Sequence, residues 1–132
     1  AGIGLGRGKP EVIISKVLQN AKTVRRWREA EVLILDEVSM VSADMFDLLD
    51  RVGKAARRSD APFGGVQLIL CGDFFQLGPV QHRAGREFAF ESDAWPTAVH
   101  HHVVLSRVMR QKGDTALIDV LNEVRWGALS AA

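Results

Sequence analysis

Two short, mainly apolar runs, each followed within two residues by an acidic residue, constrain this chain more than any other feature. Residues 32–35 precede Asp36 and Glu37, and residues 66–71 form a similar run shortly before Asp73. Apolar runs without alternation are typical of strands covered on both faces, which is the usual state of strands in a parallel sheet. We therefore predict two covered strands with polar residues at their carboxyl ends.

Helical periodicity fills much of the remaining sequence. We predict four helices: one beginning at Pro10, a short one over residues 23–29, one from Ser42 to the polar residues 57–60, and one capped by Asp114 that ends at Gly127. Their predicted inward-facing residues are Ile13, Ile14, Val17, Leu18, Val24, Trp27, Met45, Leu48, Leu49, Val52, Ala56, Leu117, Ile118, Leu121 and Val124. Residues 81–98 are predicted as loop and short helix, and residues 100–105 as a third strand. This alternation favours a single α/β layer structure.

Composition narrows the class of protein. The chain has 132 residues, about one domain, with 47% hydrophobic and 25% charged residues and a formal net charge of +1. Any binding to nucleic acid must therefore come from a local patch. The densest basic cluster is Lys22, Arg25, Arg26 and Arg28, for which a solvated helix face is more common than a DNA contact. The single cysteine, Cys71, excludes an internal disulfide framework and is expected in the core.

The pair Asp36-Glu37 after an apolar run has the sequence form of a Walker B element. At the carboxyl end of a strand, Asp36 could hold Mg²⁺ and Glu37 could polarise a water for attack on a γ-phosphate. Two acids at a solvated strand exit are an equally common alternative. No apolar run approaches the roughly 18 residues of a membrane span.

The second run leads to Asp73 and Gln76. An amide can sense a γ-phosphate or orient a water without carrying charge, whereas the structural alternative is an Asx-type turn at Asp73. Phe74 and Phe75 are expected in the core. An arginine in residues 107–111 could stabilise charge on a transferred phosphoryl group, although these residues alone favour a surface arginine.

Two other groups of residues invite a function but favour a simpler interpretation. Residues 100–102 are three histidines without a matched Cys/His spacing, so an incidental cluster is favoured over a metal site. Trp27, Trp95 and Trp126 lie far apart in sequence and are expected to be packing anchors rather than base-stacking platforms.

The motifs at residues 36–40, 62–68 and 72–77 closely resemble those of the petite-integration-frequency DNA helicase family. Members are superfamily-one, RecD-like motors that move five-prime to three-prime on single-stranded DNA. Further likeness covers residues 1–6, 88–92, 95, 105, 110–111 and 121–125, so that it extends over almost the whole chain with the motifs in order.

The resemblance implies a fold and a set of roles. The fold is a P-loop NTPase-like (RecA-like) α/β domain, with an incomplete parallel sheet and flanking helices. Asp36 and Glu37 correspond to motif II, for Mg²⁺ binding at Asp36 and water activation at Glu37. Gly72, Asp73 and Gln76 correspond to motif III, which couples the γ-phosphate to DNA movement, and Arg110 corresponds to the phosphate-sensing arginine of motif IV. The implied catalytic residues are Glu37, Gln76 and Arg110, and the implied nucleotide-binding residues are these three and Asp36.

The resemblance also implies an activity. The parent is expected to be a monomeric ATP-dependent DNA helicase that uses Mg²⁺, binds mainly single-stranded DNA together with the rest of its own chain, and has no membrane association. It would act in telomere maintenance, recombination and repair, in the nucleus or mitochondrion of a eukaryote. Alternatives are a non-catalytic nucleic-acid-binding remnant of a helicase or mobile element, and a phosphate-loop ATPase that acts on protein.

Two departures from the family pattern stand out. Gly78-Pro79 replaces the usual two prolines, which favours a looser loop. No Gly-x-x-x-x-Gly-Lys-Ser/Thr sequence occurs, so the usual phosphate-binding loop is missing from these residues. We therefore expect residues 1–132 to be a partial motor domain, with the Walker A segment upstream and the second motor domain downstream, and to be inactive alone.

Overall fold

The computed structural model describes residues 8–80, 85–107, 109 and 115–127, and the chain divides into two units, Ala1–His100 and His101–Ala132. In the first unit the helices and strands are α1 (Pro10–Gln19), α2 (Ala21–Glu29), β1 (Val32–Leu35), α3 (Ala43–Arg57), β2 (Gln67–Leu70) and α4 (Trp95–Ala98). Short 3₁₀ turns occupy Val38–Met40, Pro62–Gly65 and Ala89–Glu91. In the second unit, α5 spans Thr115–Trp126.

The two strands of the first unit pair in parallel. The register aligns Val32 with Gln67 and Leu35 with Leu70. The N–H of Cys71 donates a 2.9 Å hydrogen bond to the carbonyl oxygen of Leu35, which continues the ladder to the last residue of β1. Helix α3 lies between β1 and β2 in the chain and provides the crossover connection that parallel strands require. The predicted α/β class with a parallel sheet is confirmed.

Helices α2 and α3 begin where a polar side chain accepts a hydrogen bond from an N–H group of the first turn. Asn20 Oδ1 accepts a 3.0 Å hydrogen bond from the N–H of Thr23 at the start of α2. Ser42 Oγ accepts a 3.3 Å hydrogen bond from the N–H of Met45, which confirms the predicted cap of α3. Such caps typically contribute about 1 kcal/mol each.

The core lies around α3. The predicted stripe is buried at Leu48, Leu49, Val52 and Ala56, whereas Met45 is only half-buried. Phe46 was not in the predicted stripe, yet it is fully buried and packs edge-on against Phe63 with ring centroids 5.0 Å apart. The interior-facing residues of β1 and β2 (Leu33, Leu35, Leu68 and Leu70) pack against the same core.

Charged side chains secure the connection from α3 to β2. The buried carboxylate of Asp50 accepts a 2.8 Å hydrogen bond from the N–H of Phe63 and pairs with Lys54 at 2.7 Å. Arg57 donates to the carbonyl oxygen of Gly64 and to that of Trp27, both at 2.7 Å. Arg57 therefore links the end of α2 to the turn that precedes β2.

The prediction that both faces of the strands are covered is wrong for this chain. Side chains alternate between the two faces of a strand, and the described helices of this unit cover one of them. On the other face Ile34 is 62% exposed and Ile69 is also exposed. Cys71 continues that open face and is exposed, so its predicted place in the core is wrong as well.

The predicted third strand is also wrong. Residues 100–105 form no strand, and Leu105 is 90% exposed. The β-branched residues of this segment favour a strand, but within the described residues it has no hydrogen-bonded neighbour to complete a ladder. Residues 85–98 do contain the predicted loop with short helical turns.

Helix α5 of the second unit confirms the last predicted helix. It ends at Trp126 and is followed by Gly127, whose φ of +64° is the left-handed conformation that glycine adopts readily after a helix. The predicted cap, Asp114, lies outside the described residues. Leu117, Leu121 and Val124 are exposed, and Trp126, predicted to be a packing anchor, is 70% exposed. None of the helices in the described part of the chain is long and apolar enough to span a membrane.

Candidate functional site

The residues that follow β1 and β2 emerge at one edge of the sheet. Leu35 and Leu70 are paired in a parallel register, so Asp36 and Cys71 occupy the next position on each strand. The sequence predicts that the acidic pair and the Asp73–Gln76 segment meet at the same crevice, and the register brings the two segments to one edge. This carboxyl edge is where open α/β sheets bind their ligands.

The two turns at this edge are in direct backbone contact. The N–H of Val38 donates a 2.9 Å hydrogen bond to the carbonyl oxygen of Cys71. A Cβ atom added at Gly72 would lie 2.8 Å from the nitrogen of Val38 and 3.0 Å from its Cγ1 atom. Real Cβ atoms essentially never approach other heavy atoms closer than 3.0 Å. Gly72 is therefore required by this close approach of the two chains.

The chain leaves β1 sharply at the acidic pair. Glu37 has φ +52° and ψ +48°, a left-handed conformation that is uncommon for residues other than glycine. Its N–H donates a 3.0 Å hydrogen bond to Oδ1 of Asp36. Strain of this kind costs on the order of 1–3 kcal/mol and clusters at functional sites. Both residues of this turn are exposed at the end of the strand.

The segment after β2 forms the Asx-type turn that the structural alternative predicts. Asp73 Oδ1 accepts a 3.1 Å hydrogen bond from the N–H of Phe75, and the carbonyl oxygen of Asp73 accepts one of 2.9 Å from the N–H of Gln76. The other carboxylate oxygen, Oδ2, accepts a 3.3 Å hydrogen bond from Nε2 of Gln76. Gln76 is exposed at the edge, so the turn does not bury its amide.

The two phenylalanines of this turn have different environments. Phe74 is half-buried and packs edge-on against Phe88, Phe90 and Trp95, with ring centroids 5.8, 4.9 and 6.4 Å apart. Phe75 is 60% exposed, so its predicted place in the core is wrong. Phe74 therefore belongs to an aromatic cluster with Phe88, Phe90 and Trp95.

Asp47 of α3, which the sequence analysis did not identify, binds the segment that contains Phe88, Phe90 and Trp95. Asp47 accepts a 2.9 Å hydrogen bond from the N–H of Ala94 and pairs with Arg86, which also contacts Asp93 at 3.4 Å. Burial lowers the pKa of Arg86, but the carboxylates of Asp93 and Asp47 outweigh this and leave that pKa above its usual value. Asp47 and Arg86 lie 39 positions apart in the sequence, and no motif or spacing pattern signals their pairing.

Some of the predicted functional residues are not part of this edge. Arg110 and the glycine-rich residues 1–6 lie outside the described residues. In the basic cluster, Arg25 pairs with Glu29 at 2.7 Å, and Arg28 donates to the carbonyl oxygen of Ala56 at 2.9 Å. Residues 100–102 are exposed histidines, and the described part of the chain has no group of three or more His, Cys, Asp or Glu residues arranged for a metal ion.

Comparison with known proteins gives consistent results. The sequence model of the family described as PIF1-like helicase matches residues 1–131. The ATP-dependent DNA helicase PIF1 of Saccharomyces cerevisiae is 46% identical over 96% of this chain, and that of Homo sapiens is 40% identical over 96%. The chain spans only 15% and 20% of the length of these two relatives.

Solved structures agree with the sequence comparison. The chain superimposes on Pif1 helicase from Candida albicans with a TM-score of 0.88 and 48% identity, over 95% of this chain and 28% of that one. Pif1 helicase from Bacteroides, in complex with ADP-AlF3 and single-stranded DNA, gives a TM-score of 0.77 and 34% identity, over 84% and 28%. The chain therefore belongs to the PIF1-like helicase family.

Proposed function

We propose that this chain is the middle of the first motor domain of an ATP-dependent DNA helicase that moves five-prime to three-prime. The observation that carries the proposal is the joining of two strand ends, one with Asp36 and Glu37 and the other with Asp73 and Gln76, through the Val38–Cys71 hydrogen bond. A nucleotide bound at this edge would face both segments. Family membership supports the same activity for the longer parent.

Asp36 is the proposed ligand of Mg²⁺. Magnesium is usually held by one or two carboxylates together with substrate phosphates and water, so one exposed carboxylate at an open edge fits the ion. Oδ1 of Asp36 accepts the N–H of Glu37, an internal contact that fixes the orientation of the carboxylate. When bound, Mg²⁺ would neutralise charge on the β- and γ-phosphates.

Glu37 is the proposed base that orients and polarises the attacking water. It follows Asp36, the proposed ligand of Mg²⁺, and its exposed carboxylate is accessible to solvent water, so it could act on a water near phosphates held by that ion. Gln76, on the neighbouring turn, is proposed to sense the γ-phosphate through its amide. Arg110 is proposed to stabilise charge on the transferred phosphoryl group, as arginines do in related motors.

The proposed partner is single-stranded DNA, which a Bacteroides relative binds in its solved complex. Gly72, Asp73 and Gln76 are proposed to transmit the state of the nucleotide to the DNA. The remainder of the motor, including a phosphate-binding loop, is proposed to come from other parts of a monomeric parent. For a eukaryotic parent we propose genome maintenance, including telomeres, recombination and repair, in the nucleus or mitochondrion.

The experiment is an ATPase assay of the longer parent with and without single-stranded DNA, followed by strand displacement from substrates with a five-prime or a three-prime tail. We expect DNA to stimulate hydrolysis and only the five-prime tail to support unwinding. Equal hydrolysis with and without DNA would contradict the proposal and favour an ATPase that acts on another substrate.

A further inference from the structure

Asp73 binds two donors of its own turn through different oxygen atoms. Oδ1 accepts the N–H of Phe75 at 3.1 Å, which shapes the backbone of the turn. Oδ2 accepts Nε2 of Gln76 at 3.3 Å, which fixes a side chain rather than the backbone. One carboxylate thus performs two separable tasks, and a substitution can remove the second while keeping an acceptor for the first.

The chemistry of the pair identifies the end of the amide that Asp73 holds. A carboxylate only accepts hydrogen bonds, so the end of the Gln76 side chain next to it must be the NH₂ group. A γ-phosphate is also an anionic acceptor and would bind the same NH₂ group. The Asp73 carboxylate and a γ-phosphate therefore compete for one donor.

This contact is suited to reversible release. A separation of 3.3 Å lies beyond the usual range for a strong N–H···O hydrogen bond, and the Gln76 side chain is exposed. The backbone of the turn is held independently, because the N–H of Gln76 donates to the carbonyl oxygen of Asp73 at 2.9 Å. The side chain can leave Asp73 without opening the turn.

We propose that Asp73 is a positioning residue that retains the Gln76 amide in the absence of nucleotide and releases it to the γ-phosphate of ATP. The inference rests on the proposed function, since it assumes that ATP binds at this edge. To bind Gln76, the γ-phosphate of ATP must replace the hydrogen bond between the Gln76 amide and Asp73. ADP has no γ-phosphate and leaves that hydrogen bond in place. Asp73 thereby increases the difference between the empty and the ATP-bound states.

The test uses the longer parent and the variant Asp73→Asn. The single amide oxygen of asparagine can still accept the N–H of Phe75, but its NH₂ group cannot accept Gln76. We expect the Kd for a non-hydrolysable ATP analogue with Mg²⁺ to fall about three- to tenfold, the effect of one modest hydrogen bond. The Kd for ADP should change less than about twofold, because ADP has no γ-phosphate to compete with Asp73 for the NH₂ group of Gln76.

A second variant separates this role from simple support of the turn. In a Gln76→Ala background the effect of Asp73→Asn on the ATP analogue should disappear, because no amide remains to be released; a role in the turn alone would persist. Asp60→Asn, which removes a charge from an exposed residue before β2, is the matched control and should change neither Kd.

Three results would overturn the inference: an unchanged Kd for the ATP analogue in Asp73→Asn, an equal change for ADP, or the same change with and without Gln76. Failure of the proposed function has a different signature, namely hydrolysis by the unmodified parent that single-stranded DNA does not stimulate. Because the affinities are measured without turnover, the two outcomes are distinguishable.

Discussion

The backbone N–H of Val38 lies 2.9 Å from the carbonyl oxygen of Cys71 and donates a hydrogen bond to it. These residues belong to the turns that follow β1 and β2, so this bond extends the contact between the two chains beyond the paired strands. The turn that contains Asp73 is therefore connected through the backbone to the residue next to Glu37. This is the physical basis for treating both turns as one site.

Gly72→Ala should separate the two turns. The added methyl group would lie 2.8 Å from the nitrogen of Val38, and backbone atoms cannot yield cheaply, so the Val38–Cys71 hydrogen bond should break. We expect ATP hydrolysis by the longer parent to fall about 10- to 100-fold, the range that small misplacements of catalytic groups produce. Steady-state assays of the purified variant measure the effect.

Cys71→Ser is the matched control for this substitution. It changes an exposed neighbouring side chain and keeps the carbonyl group that accepts Val38. Its activity should stay within about twofold of the unmodified protein. If Gly72→Ala hydrolysed ATP as fast as this control, the close approach of the two turns would not be needed for activity.

Asp50→Ala should destabilise the fold without affecting the edge directly. The substitution leaves the buried N–H of Phe63 without its acceptor and removes the partner of Lys54. We expect a loss of about 2–3 kcal/mol in the free energy of unfolding, measured by urea denaturation. Asp60→Ala, at an exposed position, should stay within about 0.5 kcal/mol. Equal stabilities for the two variants would show that Asp50 has no such role.

The 132-residue chain alone should hydrolyse no appreciable ATP. Its sequence contains no Gly-x-x-x-x-Gly-Lys-Ser/Thr segment, so the usual loop that holds the phosphates is missing from these residues. Phosphate release from ATP by the purified chain, with and without single-stranded DNA, is the measurement. If ATPase activity copurified with the 132-residue chain, the phosphate-binding loop would not be required for hydrolysis.

The sequence predicts the two strands and the longer helices well because their signals are local. The apolar run before Asp36 and the cap at Ser42 depend on residues close by in the chain. Parallel pairing then requires that the two polar strand ends share an edge. This much of the site follows from pattern and topology.

Features that depend on distant contacts were not predictable in the same way. The need for glycine at residue 72 comes from its approach to Val38, which lies 34 positions away in the sequence. Ile34 is an apolar, β-branched residue of the kind found in buried strands, yet it is exposed. Whether a strand residue is buried depends on which helices pack over its face of the sheet. Asp47 and Arg86 act through tertiary pairing that no spacing pattern signals.

The most direct test of the shared nucleotide site is Glu37→Gln in the longer parent, with hydrolysis and nucleotide affinity measured on the same preparation. Glutamine keeps the shape of the side chain but has no carboxylate to polarise water, so we expect turnover to fall at least about 100-fold while nucleotide affinity changes little. Glu31→Gln, an exposed residue just before β1, is the control and should retain activity. Near-normal turnover in Glu37→Gln would contradict the assignment of this edge.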